Sequence, residues 1–370
     1  MARLRVCHIS TVHRPFDVRI FHKMCGSLAE AGFDVRLVVK EASGTQANGV
    51  RIHKIPAFKK RPIRMTLGVM LAFFKTLFIN PKVIHFHDPE LIPLGLIFKR
   101  LGKKVIYDMH ELVSHQLDNK AYLSDSRLGA KLKHWYAKLE DRAVRRLDGI
   151  ILAEDGYVHH MNQRYPESSD KFLVVRNFPR INQILNTPTQ YKDHDAPVVV
   201  YMGGLTKIRG IKELIQAVAA INNAKLVLMG PWTEEFRVEC EAMEEFRCVD
   251  YRGVLPFEEV IKVVKTADVG AATLYPLENY LTSQPVKFFE YVACQVPIVM
   301  SNFPYWEELF DGMAWFADPR DPNSIRETIE EVLIDSQKRV KMDRAFEKVN
   351  SEWNWELEQA KLTKLYQRFE

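Results

Sequence analysis

Short apolar runs alternate with helical stretches twice along this chain, and that alternation restricts the fold more than any other feature. In the first half the runs fall at residues 4–10, 33–39, 50–55, 83–87, 104–109, 149–153 and 171–175. In the second half they fall at 198–202, 226–229, 248–251, 269–273 and 297–300. Helices are expected up to Gly32, over 65–79, over 128–146 and over 353–369. Apolar runs this short, each followed by a helix, belong in parallel sheets covered on both faces. The expected class is α/β, with two parallel-sheet domains.

The domains are placed at residues 1–180 and 198–350. Residues 181–197 mix Pro, Asn, Thr and Asp with weak periodicity and read as a linker. The closing helix, 351–370, is set apart from both. A chain of 370 residues with 47% hydrophobic content has enough apolar surface for two cores. Five scattered cysteines without a CxxC pair fit a reducing compartment and offer no zinc or disulfide framework. The first residues run straight into a strand, so no signal peptide is expected. No uninterrupted apolar run reaches the roughly 18 residues that span a bilayer. A cytoplasmic protein is expected.

The net charge of +5 hides a division. Residues 1–180 hold 31 Lys and Arg against 17 Asp and Glu, whereas the remainder holds 21 against 30. A basic first half points to an anionic ligand or surface. Helix-turn-helix, zinc and aromatic-stacking signatures are lacking, which ranks phospholipid above nucleic acid.

Ligands of open α/β sheets bind beyond the carboxyl ends of the strands. One such end carries Gly203, Gly204, Lys207, Arg209 and Gly210. Glycines admit a ligand close to the backbone, and Arg209 can hold a diphosphate. A turn with an exposed cation has the same composition. Another end leads into Ser283, Gln284, Pro285 and Val286, with Pro285 suited to the first helical position and free amides offering an anion seat. Lys287 and Glu290 share one face of that helix, either as ligands for phosphate and sugar hydroxyls or as a surface ion pair.

In the first half, His110 and Glu111 close a strand. His85 and His87 share a strand face, and a metal is conceivable at His87 and Asp88. The loop after the first strand carries His13, Asp17 and Arg19, able to orient a hydroxylated acceptor, with His13 or Asp17 as a base or Asp17 as a helix cap. Lys59, Lys60, Arg61 and Arg64 precede the apolar stretch 67–79, which fits core packing or interfacial membrane docking.

Together the Gly203–Gly210 loop, the 285–294 helix with Val296-Pro297-Ile298-Val299 after it, and the His110-Glu111 strand end resemble the retaining glycosyltransferases of the GT-B fold, family 4. Asp268-Val269-Gly270, Asn177-Phe178-Pro179 and the tryptophan-bearing last helix are similar as well. The resemblance covers nearly the whole chain. It implies two Rossmann-like domains facing across a cleft, with the last helix crossing back to the first. Arg209 and the amides of Gly203 and Gly204 would hold a donor diphosphate, with Lys207, Ser283–Val286 and Lys287 in support. Glu290 would bind ribose, Gly253 and Val254 the nucleobase, and His110 the donor sugar. His13, Asp17, Arg19, His87 and Glu111 would face the acceptor.

Two positions depart from the family pattern. Thr282 stands where a Glu often lies eight residues before the ribose Glu, and Gly204 stands where an Arg usually follows the first Gly.

The resemblance further implies transfer from a UDP- or GDP-linked sugar to a hydroxyl acceptor, with His110, Arg209 and Lys287 catalytic and with no metal or other cofactor. The expected setting is cell-surface polysaccharide or glycolipid synthesis, at the inner face of the membrane. An epimerase of the same fold and a non-catalytic nucleotide-sugar binder are the alternatives.

Overall fold

A computed structural model describes residues 3–41, 46–109, 127–189 and 196–370. The chain divides into two compact units, one of Met1–Asn177 with Leu357–Glu370, the other of Phe178–Glu356.

The first unit holds strands β1 (Arg5–Ile9), β2 (Asp34–Lys40), β3 (Gln46–Ala47), β4 (Val50–Ile55), β5 (Val83–Phe86), β6 (Lys104–Met109), β7 (Gly149–Leu152) and β8 (Phe172–Val174). They form one sheet in the order β3-β4-β2-β1-β5-β6-β7-β8. All neighbours run parallel except the hairpin of β3 with β4, a two-residue strand too short to leave a periodic signal. β1, β5 and β6 are buried nearly throughout. Register sets His8 beside His85, so these two rings and His87, two residues on, line one face of the sheet. The closing helix, Trp355–Gln367, covers that face with Tyr366.

The second unit holds β9 (Val198–Met202), β10 (Lys225–Met229), β11 (Val249–Gly253), β12 (Val269–Ala272), β13 (Ile298–Ser301) and β14 (Trp315–Ala317). The order β11-β10-β9-β12-β13-β14 is parallel throughout. Its core reaches back through the stretch expected to be a linker, where Ile181 and Ile184 are buried on the helix Ile181–Asn186, to Phe178, which was placed at the end of the first domain. The few apolar residues there, Ile181, Ile184 and Leu185 among Asn, Thr and Pro, were too few to show helical periodicity.

Candidate active site

Helix Val286–Ala293 is seated by Tyr291. Its hydroxyl donates to the Val200 carbonyl at 3.1 Å and accepts from the Met202 amide at 3.2 Å. Gly270 leaves the room for this ring, since a Cβ there would stand 2.7 Å from it. At the other end of the approach, Trp306 Nε1 donates to the Ser283 carbonyl at 2.7 Å. These contacts bring the helix start against the carboxyl end of β9. Pro285 is the N-cap rather than the first helical residue; its extended ψ of 109° keeps it outside the turn.

Beyond β9 the chain makes a close three-strand junction. Gly203 has φ +125°, and its amide bonds the Met229 carbonyl at 2.8 Å. Gly230 packs so tightly that a Cβ would lie 1.9 Å from the Gly203 carbonyl oxygen. The Gly230 amide in turn bonds the Gly253 carbonyl at 2.8 Å, where the register of β10 with β11 shifts. Gly203 and Gly253, separate in the sequence, are thus tied through Gly230. Val254 follows, 70% exposed.

Two cations converge on this junction. A Cβ on Gly203 would meet Lys287 Cε at 3.1 Å and an Arg209 terminal nitrogen at 3.2 Å. Lys287 Nζ donates to the Tyr201 hydroxyl at 3.0 Å and sits 4.4 Å from the centre of that ring. Burial opposes the charge on Arg209, yet Tyr201 and Tyr280 hold its guanidinium above the ordinary value. Among the described residues neither cation forms an ion pair with a carboxylate. Two unneutralised charges beside Gly203 and Gly204 make a seat for an anion; the Gly203 amide, spent on the Met229 carbonyl, leaves the expected diphosphate donors.

In the segment that carries Lys287, Ser283, Gln284, Val286 and Glu290 are half-buried, while Lys207 is exposed. Sequence reasoning missed Gly230 and gave Tyr201 no role, although Met229-Gly230-Pro231 at a strand end was a visible signal.

In the first unit the expected set separates. His110 and Glu111 lie outside the described residues. Arg19 is not on an open face: it is buried, with Nε and a terminal nitrogen donating to Asp108 at 3.1 and 2.7 Å and a third bond to the Val175 carbonyl. His87 is likewise buried between Asp108 and His8, each at 3.0 Å. Both residues leave the acceptor set, because their polar atoms face an internal network. Asp17 caps the first helix, Oδ1 accepting from the Arg19 and Ile20 amides, and leaves the set of bases.

His13 stays half-buried, with Nδ1 2.9 Å from Asp88 Oδ1. Asp88 also accepts from the Thr11 and Val12 amides and from Ser10. Despite its burial, bonds from His13, Thr11 and Ser10 hold its carboxyl below the usual range.

Of the conceived metal pair, His87 bonds Asp108 and His8, while Asp88 bonds His13, Ser10 and the Thr11 and Val12 amides. His8, His85 and His87 do come together, with ring nitrogens within 4.8 Å of one another. Burial holds His8 and His85 well below the ordinary histidine value, so both rings are neutral.

The model of the family described as Glycosyltransferase Family 4 matches residues 18–179, and that of Glycosyl transferases group 1 matches residues 185–349. This chain belongs to the GT-B glycosyltransferases of family 4. A D-inositol 3-phosphate glycosyltransferase of Corynebacterium jeikeium (strain K411) is 23% identical to this glycosyltransferase, over 81% of it and 75% of the relative. A GDP-mannose-dependent monoacylated alpha-(1-6)-phosphatidylinositol monomannoside mannosyltransferase of Corynebacterium glutamicum is 25% identical over 46% of this chain and 47% of its own length. The fold is that of sucrose-phosphate synthase from Thermosynechococcus elongatus, at TM-score 0.74 and 17% identity over 99% of both chains. Anabaena HepE, solved with UDP-glucose, superposes at TM-score 0.71 and 13% identity over 99% of this glycosyltransferase and 100% of HepE.

Proposed function

We propose that this glycosyltransferase moves a sugar from a nucleotide diphosphate sugar, UDP- or GDP-linked, to a hydroxyl of a lipid-linked or saccharide acceptor, with retention at the anomeric carbon. The observation that carries the donor side is the meeting of Arg209 and Lys287 at Gly203. Negative charge grows on the departing diphosphate in the transition state, and two fixed cations beside backbone amides stabilise it there. Glu290 on the Lys287 helix takes the ribose hydroxyls, and Gly253 and Val254 border the base. The GDP-mannose and the phosphatidylinositol monomannoside in the name of the mannosyltransferase relative support a nucleotide-sugar donor and a glycolipid acceptor, and such an acceptor would put the enzyme at the inner membrane face.

Retention follows from front-side attack, in which the departing diphosphate oxygen takes the acceptor proton on the face it leaves, without the carboxylate pair that glycosidases use. With His13 bonded to Asp88, these residues orient the acceptor hydroxyl. The diphosphate is neutralised by protein cations, and turnover in EDTA is the expected outcome. The test is product stereochemistry. An α-linked donor incubated with phosphoinositide or saccharide acceptors should give an α-linked product by NMR coupling constants. A β-linked product would refute retention, and nucleotide release without any acceptor would favour the epimerase.

A further inference from the structure

The structure assigns the helical segment Arg61–Ile79 as a docking surface for an anionic lipid bilayer. This deepens the lipid-linked acceptor reading and rests on it only for the identity of the acceptor. The segment has the length and apolar composition of a membrane-crossing helix, though the sequence shows no uninterrupted run of that kind. It does not cross, because one face is committed to the protein: Gly68, Ala72, Thr76 and Ile79 are buried, and the helix packs on β1, β2 and β4.

The other face is open. Ile63, Leu67, Met70, Phe74, Leu77 and Phe78 are exposed, Phe74 by 57% and Phe78 by 91%. Their spacing of three and four residues sets them along one side. Core packing alone, favoured by the apolar composition, therefore accounts for only the narrow inner face.

Charge selects the occupant. Lys59, Lys60 and Lys75 are exposed around this stripe. A cationic margin around inserted aromatic and aliphatic side chains fits acyl chains below anionic headgroups. Arg64, counted with these cations from sequence, is instead turned inward. Its guanidinium bonds both oxygens of Glu90 at 2.9 to 3.2 Å, and Glu90 accepts from Thr11 at 2.5 Å. Thr11 also bonds Asp88, the partner of His13. The docking helix is thereby tied through Arg64, Glu90 and Thr11 to the loop that carries His13, which places the acceptor loop beside the lipid surface.

The test is co-sedimentation of the full chain with phosphatidylcholine vesicles, with and without phosphatidylglycerol. Wild type should bind the anionic vesicles and release as salt rises. The double variant Phe74→Ser/Phe78→Ser should bind roughly tenfold more weakly or worse, and the triple variant Lys59→Gln/Lys60→Gln/Lys75→Gln should lose the preference for phosphatidylglycerol. Diphosphate affinity should be unchanged in both, which separates this surface from the donor reading. Equal vesicle binding by wild type and the Phe double variant would overturn the assignment. So would a wild-type dimer, seen by sedimentation without lipid, that the same variant splits, since a second copy would then cover the stripe.

Discussion

The ammonium of Lys287 lies over the ring of Tyr201, 4.4 Å from its centre, and donates to that residue's hydroxyl at 3.0 Å. The same phenol helps hold Arg209. Tyr201 is fully buried at the end of β9 and therefore fixes two cations that a surface position would leave mobile. The proposed donor site is thus organised from beneath by an aromatic residue.

On the proposed function, replacing either cation removes charge-assisted bonds to the diphosphate. Arg209→Ala and Lys287→Ala should each weaken binding of a nucleoside diphosphate by about 1.5–3 kcal/mol. Calorimetry on the two variants measures this directly. Unchanged affinity in either would remove that residue from the site.

Glu290 carries a claim about the ribose. Glu290→Gln should weaken the parent nucleotide while leaving a 2′,3′-dideoxy analogue unaffected. If wild type already binds the analogue as well as the parent, the ribose role is wrong.

Gly230 is where the backbone junction has no slack. An added Cβ would meet backbone at 1.9 Å, and the residue sits at φ +139°. Gly230→Ala should lower stability by about 1–3 kcal/mol and displace Gly203, so nucleotide affinity falls with it. A thermal melt and a titration of the same sample check both. Full affinity in this variant would separate the junction from the donor site.

His13 and Asp88 predict a pH dependence of stability. Burial works against a charged His13, but bonding to Asp88 outweighs it and raises the ring above its ordinary 6.5. That contribution is complete below pH 6.5 while Asp88 stays ionised, and is lost as pH rises through the folded value. Asp88 is held below 3.8, so its share is present above that value and is lost as pH falls through the lowered one. The urea midpoint of wild type should therefore exceed that of His13→Gln most on the acidic side of neutrality, with the gap narrowing as pH rises above 6.5 and through the raised folded value. A constant gap would contradict the pairing.

Most strands were legible because their residues are apolar on both faces, and every run expected from sequence has its strand, whereas the two-residue β3 and three-residue β14 were too short to read. The pair Arg209 and Lys287 was legible as well, since each follows a strand end. What escaped was decided by tertiary contact. Arg19 looks like an open cation until Asp108, far along the chain, is brought beside it. His87 looks like a ligand until His8 and Asp108 close on it. The exposure of Phe78 depends on which side of an apolar helix meets the sheet, and composition alone does not choose.

The central claim is that Gly203, Arg209 and Lys287 form the seat of a donor diphosphate. It is tested most directly by titrating the protein with UDP, GDP, ADP and their sugar conjugates in EDTA. Selective micromolar binding of one diphosphate, weakened in both Arg209→Ala and Lys287→Ala, is the predicted result. Absence of binding to every nucleotide, with magnesium restored as well as without it, would contradict the account.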